Sequence, residues 1–161
     1  MKILIIYGTK TGTTQICAGR IREALVPEEI EMVDIRRFRR TELAPYDAVI
    51  VGTSVYMGKI HSKIKGFLNR YSAELRQKKL HLFVCGLAQG DEGAAQLKKQ
   101  MSEELVRHAI QVKHLGCGVN YTRLNPLYRA IMKKIVATEK PQIGLLDDEI
   151  KAFAAKVLET D

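Results

Sequence analysis

A run of threonines directly follows the first apolar segment of the chain, residues 3–7. The run lies in Thr9-Lys10-Thr11-Gly12-Thr13-Thr14, just ahead of a helical pattern. Threonine hydroxyls and the free backbone N–H groups of a helix N-terminus donate hydrogen bonds, and the helix dipole favours an anion at the same place. Gly12 lets the backbone approach that anion closely. The residue types and their spacing therefore predict a site for a phosphate monoester.

This loop lacks the spacing of two other common phosphate-binding motifs. It contains neither G-x-G-x-x-G nor G-x-x-x-x-G-K-[ST], which argues against a dinucleotide or a nucleoside triphosphate. Threonines also cap helices and turn ordinary surface loops. Taken alone, the loop leaves both a phosphate site and a plain turn open, so its position in the fold has to decide between them.

Short apolar runs rich in isoleucine and valine alternate with helical patterns along the chain. The runs are residues 3–7, 30–35, 48–52 and 80–85, with a weaker fifth run at 112–119. Such runs, without polar alternation, are typical of strands buried on both faces of a parallel sheet. The alternation predicts a doubly wound α/β sheet in a single domain, residues 1–161. After the fifth strand, Asn125 followed by Pro126 predicts the start of an inserted helix.

Two further loops are expected to face the threonine loop. In a doubly wound sheet, ligands bind beyond the carboxyl ends of the strands, where the chain order reverses. The third strand leads into Thr53-Ser54-Val55-Tyr56-Met57-Gly58, and the fourth leads into Gly86-Leu87-Ala88-Gln89-Gly90. A flat ring can stack on Tyr56 and accept hydrogen bonds from the backbone of the second loop. A phosphate at one end and a stacked ring at the other predict FMN as the cofactor.

The same segments resemble the flavodoxin family. Residues 9–14 match its phosphate loop, and residues 46–54 are similar to its third strand and the start of its ring loop. The resemblance covers nearly the whole chain and implies a flavodoxin-like five-stranded parallel sheet of order 2-1-3-4-5. It also implies ring contacts from residues 53–58 and 86–90. The phosphate contacts that it implies come from Thr9, Thr11, Thr13 and Thr14.

Within that family, residues 52–62 and the basic insert at 124–140 are most similar to the quinone-dependent protoporphyrinogen IX dehydrogenase branch. That resemblance implies an oxidoreductase that moves electrons from a porphyrinogen through FMN to menaquinone or a related acceptor. The alternative is a flavodoxin-type electron carrier that serves a redox protein partner and has no small-molecule substrate of its own.

Two departures from ordinary flavodoxins favour the enzyme. Leu87 stands where a second flavin-stacking tyrosine is common, so one ring face is either covered by an aliphatic side chain or accessible to a substrate. The net charge of the chain is +8, whereas typical flavodoxins are acidic. Positive potential stabilises an anionic reduced flavin and raises its reduction potential. A low-potential carrier is therefore less favoured.

The inserted segment, residues 120–143, concentrates this charge. It carries five cationic residues against Glu139 alone, a net charge of +4. An amphipathic helix over residues 124–138 can rest on the anionic inner face of a membrane, where quinone is found. It can equally pack its apolar residues, Leu124, Leu127, Tyr128, Ile131 and Ile135, on the sheet, as most amphipathic helices do.

The composition excludes several other classes of protein. The uncharged apolar runs are too short to cross a bilayer, and no secretory signal is expected. Three cysteines without close pairs predict reduced, buried thiols in a cytoplasmic protein and no metal site. Aromatic residues make up 6% of the chain, with no stacking motif for nucleic acid. The charge run at residues 36–40 is interpreted as a solvated edge that a carboxylate-bearing substrate or an acidic partner could use.

No catalytic residue is assigned from the sequence. His61, which follows the first ring loop, is the histidine best placed for proton transfer, since its ordinary pKa suits that role. A receiver-type signalling domain of the same topology would need acidic residues at the ends of the first and third strands. Tyr7-Gly8 and Gly52-Thr53 stand there instead, which excludes that class.

Overall fold

The fold was analysed in a computed structural model that describes residues 1–39, 43–118 and 120–159. Arg40, in the predicted charge run, and Val119, at the end of the predicted fifth strand, lie outside the described residues. The strands are β1 (Lys2–Gly8), β2 (Glu29–Asp34), β3 (Ala48–Tyr56), β4 (Lys59–Ile60), β5 (Lys79–Cys85), β6 (Gln111–His114), β7 (Gly116–Cys117) and β8 (Gly144–Leu145). The helices are α1 (Thr13–Ala24), α2 (Ser62–Arg70), α3 (Ser72–Leu75), α4 (Gly90–Lys98), α5 (Glu103–His108), α6 (Pro126–Glu139) and α7 (Asp147–Leu158), with a 3-10 turn at Tyr121–Arg123.

The main sheet has the predicted order. Its path is β2-β1-β3-β5-β6, with every neighbouring pair parallel. The two-residue β4 adds an antiparallel edge to the end of β3 and shifts the numbering of later strands by one. Allowing for that shift, the order is 2-1-3-4-5, so the flavodoxin-like doubly wound fold is confirmed.

Alternate residues of the strands feed two cores, one on each face of the sheet, because successive side chains of a strand point to opposite faces. Leu4 and Ile6 belong to the core that α2, α4 and α5 cover. Ile3 and Ile5 belong to the core that α1 and α7 cover. Burial on both faces explains why the strands lack polar alternation.

Two predicted boundaries were wrong. The third strand does not end at Gly52 but continues to Tyr56, because β5 pairs with Thr53 and Ser54 and β4 pairs with Val55 and Tyr56. The fifth strand is not continuous over 112–119. It ends at His114, and Gly116, with a φ of 128°, directs the chain into a separate antiparallel pair with β8.

The inserted helix begins where the sequence predicts. Asn125 caps α6, with its side-chain oxygen accepting a hydrogen bond from the Tyr128 N–H at 2.9 Å. The predicted apolar stripe is only partly buried, since Leu127 is 68% exposed and Met132 is the buried residue of the helix. The reason is that α6 lies over the carboxyl ends of the strands and lines cavities there with a narrow strip of side chains. Among the residues described, no helix has the length and apolarity needed to span a bilayer.

Candidate functional site

The loops after β1, β3 and β5 meet at the carboxyl edge of the sheet and enclose three adjoining cavities. The threonine cavity, of about 20 Å³, lies against the threonine loop and is also lined by Val55, Leu87 and Met132. The ring-loop cavity, of about 400 Å³, lies between residues 55–58 and 87–89. The basic cavity, of about 740 Å³, lies on the far side of the first ring loop and touches Lys10 and Lys59. This is the crevice that the strand order predicts.

The threonine loop is closed by its own hydrogen bonds. The Gly12 N–H donates to Thr9 Oγ1 at 2.9 Å, and Gly12 has a φ of 100°, a conformation that disfavours any side chain. The helix α1 starts at the next residue without a side-chain cap and without an acidic residue in its first turn. Its positive dipole end and free N–H groups are therefore available to an anion.

A buried hydroxyl in this loop lacks a partner. Thr14 is fully buried, and its Oγ1 has no hydrogen-bond partner among the described residues. The hydroxyl lies beside the Cys85 thiol, and this contact lowers the pKa of Cys85, but a thiol is a weak hydrogen-bonding group that leaves most of the hydroxyl's bonding capacity unused. An unsatisfied buried hydroxyl costs about 1–3 kcal/mol. A phosphate oxygen in the threonine cavity would remove that cost, so the loop fits a phosphate ester.

Arg123 lies beside the same loop and was not predicted as a site residue. An ideal Cβ built on Gly12 would stand 3.2 Å from the Arg123 Nη1. A planar guanidinium is suited to bidentate contact with a phosphate group. In the sequence Arg123 contributes only to the charge of the insert, and nothing in the spacing connects it to residues 9–14.

Tyr56 joins the first ring loop to the threonine loop. Its phenol oxygen is 3.0 Å from Thr11 Oγ1. Burial raises the pKa of Tyr56, and the hydrogen bond with Thr11 offsets part of that rise. The phenol is therefore neutral at neutral pH and presents an uncharged ring to the cavities on both sides.

The turn after Tyr56 is held by a residue far along the chain. Met57 and Gly58 both have positive φ, 53° and 74°. Gln100 donates from Nε2 to the Gly58 carbonyl at 2.9 Å and accepts from the Ile60 N–H at 3.1 Å. This clamp fixes the loop at the rim of the cavities. No sequence pattern pointed to Gln100.

The second ring loop is held in the same way by His114, which is 4% exposed. Its Nε2 donates to the Gly86 carbonyl at 2.9 Å, and its Nδ1 accepts from the Gly90 N–H at 3.4 Å. These roles assign the neutral tautomer protonated on Nε2. The side chain therefore bridges the two ends of the loop, and its role was not predicted.

The helix α6 closes the crevice on a third side. Met132, 4% exposed, lines both the threonine cavity and the ring-loop cavity, where Ile135 joins it. Lys10 ties α6 to the threonine loop, since its Nζ is 4.2 Å from the centroid of the Tyr128 ring. Leu87 faces the ring-loop cavity together with these aliphatic side chains. The apolar slot needed by a flat ring is therefore present between Tyr56 and Leu87.

Most of the predicted site residues line these cavities, and a few do not. Lys10 lines the basic cavity, and Ser54 lines both the threonine cavity and the basic cavity. Thr53 lines none of the three, since its buried hydroxyl donates to the Ser54 carbonyl and accepts from the His61 N–H. Gly90 also lies outside them, at the start of α4.

His61 is placed away from the ring-loop cavity. It caps α2, with Nδ1 accepting from the Lys63 N–H at 3.3 Å, and it lines the basic cavity. Burial lowers the pKa of His61, and the charge of Asp34 offsets part of that shift. The side chain is neutral at neutral pH. The structure does not bring it beside the slot between Tyr56 and Leu87.

The three cysteines are free and buried, as the sequence predicts. Cys85 and Cys117 line the threonine cavity. A hydrogen bond with Cys17 and burial raise the pKa of Cys85 well above its ordinary value, and burial raises the pKa of Cys117 to about 11. The Cys85 and Cys117 thiols are therefore protonated at neutral pH. Among the described residues, no group of histidine, cysteine and acidic side chains could hold a metal ion.

Comparison with protein families adds the decisive observation. The family described as "Flavodoxin domain" matches residues 4–143, a range that includes all three loops and α6. The chain belongs to the flavodoxin family. The chain is 31% identical over 93 residues to a flavodoxin of Maridesulfovibrio salexigens, a match covering 53% of this chain and 63% of that protein. Family membership confirms the predicted family and supports FMN as the cofactor.

A second relative and a solved structure complete the comparison. The chain is 26% identical over 77 residues to protoporphyrinogen IX dehydrogenase (quinone) of Escherichia coli strain K12, covering 47% of this chain. That match spans 42% of the enzyme's length. The crystal structure of Fusobacterium nucleatum flavodoxin bound to flavin mononucleotide superimposes with a TM-score of 0.62 at 13% identity, covering 97% of this chain and 96% of that one.

Proposed function

We propose that residues 1–161 form one FMN-binding domain, and that the protein is an oxidoreductase transferring electrons from a porphyrinogen-type reductant to a quinone. The observation that carries FMN binding is the buried Thr14 hydroxyl at the N-terminus of α1, whose Oγ1 has no hydrogen-bond partner in the described part of the chain. A phosphate ester there would satisfy the hydroxyl and meet the positive end of the helix dipole.

In this proposal, different loops of the chain bind the phosphate and the ring of the cofactor. The backbone N–H groups at the N-terminus of α1, the guanidinium of Arg123 and the four threonine hydroxyls hold the phosphate. The ring lies between residues 54–58 and 86–90, with Met132 excluding water from above. Bound FMN supplies a redox centre that exchanges one or two electrons. The threonines concerned are Thr9, Thr11, Thr13 and Thr14.

Three features support an enzymatic function. The match to the Escherichia coli dehydrogenase covers 47% of this chain, and the excess of cationic residues, +8 overall, would stabilise an anionic reduced flavin. Aliphatic Leu87 in the ring-loop cavity leaves room for an apolar reductant beside the ring. No side chain is assigned as catalytic.

The proposal includes a peripheral contact with the inner face of the cytoplasmic membrane. Residues 124–138 expose Leu127, and Lys133 and Lys134 are also exposed. An apolar anchor beside cationic side chains suits an anionic lipid surface, where quinone is dissolved. The protein itself would be cytoplasmic.

An electron carrier that serves a redox protein partner is the second candidate. The match to the Maridesulfovibrio salexigens flavodoxin, at 31% identity over 93 residues, favours it. Such a carrier would bind FMN through the same loops but would not turn over a small molecule.

The first test is the visible spectrum of the purified protein with and without added FMN. Flavin absorption that stays with the protein through gel filtration is expected. The second test is anaerobic oxidation of protoporphyrinogen IX with a menaquinone analogue as acceptor. Turnover that requires FMN supports the enzyme, whereas FMN binding without turnover assigns the carrier. A protein that stays colourless after reconstitution would refute both.

A further inference from the structure

The basic cavity is not used by the proposed cofactor site. It lies on the opposite side of Tyr56 and Met57 from the ring-loop cavity, and these two residues line both. The Tyr56 phenol, which is hydrogen-bonded to Thr11, lines both the basic cavity and the threonine cavity. With about 740 Å³, the basic cavity is large enough for a small organic molecule.

Three cationic side chains converge on this cavity. Lys59 stands at its rim and forms no ion pair with a carboxylate within the described part of the chain. Lys10 is held over the Tyr56 and Tyr128 rings, 5.2 and 4.2 Å from their centroids. Arg36 is the third. Among the residues described, no acidic side chain lines the cavity.

Arg36 is oriented by Asp34. Its Nε donates to both carboxylate oxygens at 3.0 and 3.1 Å, and its Nη2 donates to Oδ2 at 2.5 Å. The Nη1 group is left for a ligand. Counting Asp34 against the three cations leaves a net charge of about +2 at the cavity, because His61 is neutral at neutral pH.

A helix end adds to this positive potential. The helix α2, nine residues long, begins at Ser62 and has no acidic residue in its first turn. Both its capping residue, His61, and Ser62 line the cavity. The positive end of the helix dipole therefore acts on the same space as the three cations.

The remaining wall is apolar or aromatic. Tyr56, Met57, Ile60 and Tyr128 line it. A small inorganic anion would leave this surface uncovered, whereas a flat organic body would bury it. Cations on one wall and rings on another match a ligand that combines carboxylates with a flat apolar body.

We propose that the basic cavity binds a flat organic anion that carries carboxylates, with Lys59 and Arg36 contacting the carboxylates. The role of this cavity as a substrate site rests on the proposed function, since a ligand there would be separated from the ring-loop cavity by Tyr56 and Met57. Binding itself does not need the cofactor.

Binding can be measured with naphthalene-2,6-dicarboxylate and its neutral analogue, naphthalene-2,6-dicarboxamide, by isothermal titration at low salt. Low salt matters because the screening length falls from about 30 Å at 0.01 M to about 8 Å at 0.15 M. We expect the dicarboxylate to bind at least about tenfold more tightly than the diamide. Each titration is run on the protein with and without FMN.

Variants of Lys59 assign the contact. Lys59→Gln is expected to weaken dicarboxylate binding about fivefold and to leave diamide binding unchanged, and Lys59→Arg is expected to retain binding. Lys151→Gln, on α7 and lining none of the three cavities, is the matched control and should bind like the parent. Circular dichroism and FMN affinity should be the same in all four proteins.

Equal affinity for the two probes, or equal loss in Lys59→Gln and Lys151→Gln, would overturn the inference. Failure of the proposed function is recognised separately. A protein that binds the dicarboxylate through Lys59 but not FMN supports this site and refutes the cofactor proposal. A protein that binds FMN but not the dicarboxylate refutes this site and supports the cofactor proposal.

Discussion

The two halves of the proposed cofactor site are built in different ways. The phosphate half is one continuous loop, residues 9–14, closed by its own hydrogen bond between the Gly12 N–H and Thr9. The ring half is assembled from separate segments, with Tyr56, Leu87 and Met132 brought together from different parts of the chain. Each of its two loops depends on a distant side chain, Gln100 for one and His114 for the other.

This difference predicts how each half responds to mutation. A local loop loses affinity in proportion to the hydrogen bonds that a variant removes. A half that is held by distant side chains loses its shape when a support is removed, even when that support does not touch the ligand. Riboflavin separates the two responses, because it carries the flavin ring but no phosphate.

The largest effect is expected from the double variant Thr11→Ala/Thr14→Ala. It removes two hydroxyl donors to a charged phosphate, each worth about 1.5–3 kcal/mol. FMN affinity, measured by quenching of flavin fluorescence, should fall at least about 100-fold.

The fold should survive this change, because Thr14 Oγ1 has only the weak Cys85 thiol beside it among the described residues, and Thr11 loses one hydrogen bond, to Tyr56. Thr14→Val alone should keep the free energy of unfolding of the apoprotein or raise it by up to about 1 kcal/mol. The same variant should bind FMN less tightly. Unchanged FMN affinity in the double variant would place the phosphate elsewhere.

The next effect concerns Arg123, which lies beside Gly12. Arg123→Gln should reduce FMN affinity about tenfold or more, because a charge-assisted contact to phosphate is lost. Riboflavin affinity should stay the same. Lys134→Gln, in the same insert and also exposed, is the control and should change neither. Equal loss for both flavins would show that Arg123 shapes the loop and does not contact the phosphate.

His114 should give the opposite pattern. His114→Ala removes the two hydrogen bonds that hold the ends of residues 86–90, at about 1 kcal/mol each. The affinities for FMN and for riboflavin should both fall about fivefold to tenfold, and by the same factor, as measured by the same fluorescence titration. His114→Gln, which can donate to the Gly86 carbonyl, should recover part of the loss. A selective loss of FMN alone would contradict a role in positioning the ring loop.

The smallest effect is expected where the two halves meet. Tyr56→Phe keeps the ring but removes the hydrogen bond to Thr11, which is worth about 0.5–1.5 kcal/mol. FMN affinity should fall about threefold in titrations, with a smaller change for riboflavin. Tyr56→Leu removes the aromatic face as well and serves as the comparison. If Tyr56→Phe and Tyr56→Leu reduce the affinity for FMN and riboflavin equally, the flavin ring does not stack on Tyr56.

The same contrast explains what could be predicted from the chain. Strands β1, β3 and β5 were predictable because residues buried on both faces leave uninterrupted apolar runs. The threonine loop was predictable because donors, glycine and helix start are neighbours in sequence. The extension of β3 to Tyr56 was not predicted, since its last residues depend on pairing with β4 across a turn that the distant Gln100 holds.

The inserted helix shows most clearly what could not be predicted from the sequence. Its helix and its cap at Asn125 follow local rules and were predicted correctly. Its buried face was not, because a hydrophobic pattern does not state which surface the helix will meet. In the structure that surface is the crevice, so Met132 is buried and Leu127 is exposed.

The amino-acid sequence alone determined the alternation of strands and helices, the strand order through the family resemblance, and the threonine loop. These features depend on contacts within a few residues or on burial that repeats along the chain. Tertiary structure alone decided that Arg123, His114 and Gln100 support the crevice, and that three cations share one cavity. Side chains that are distant in sequence become neighbours only when the packed sheet fixes the directions in which its loops leave.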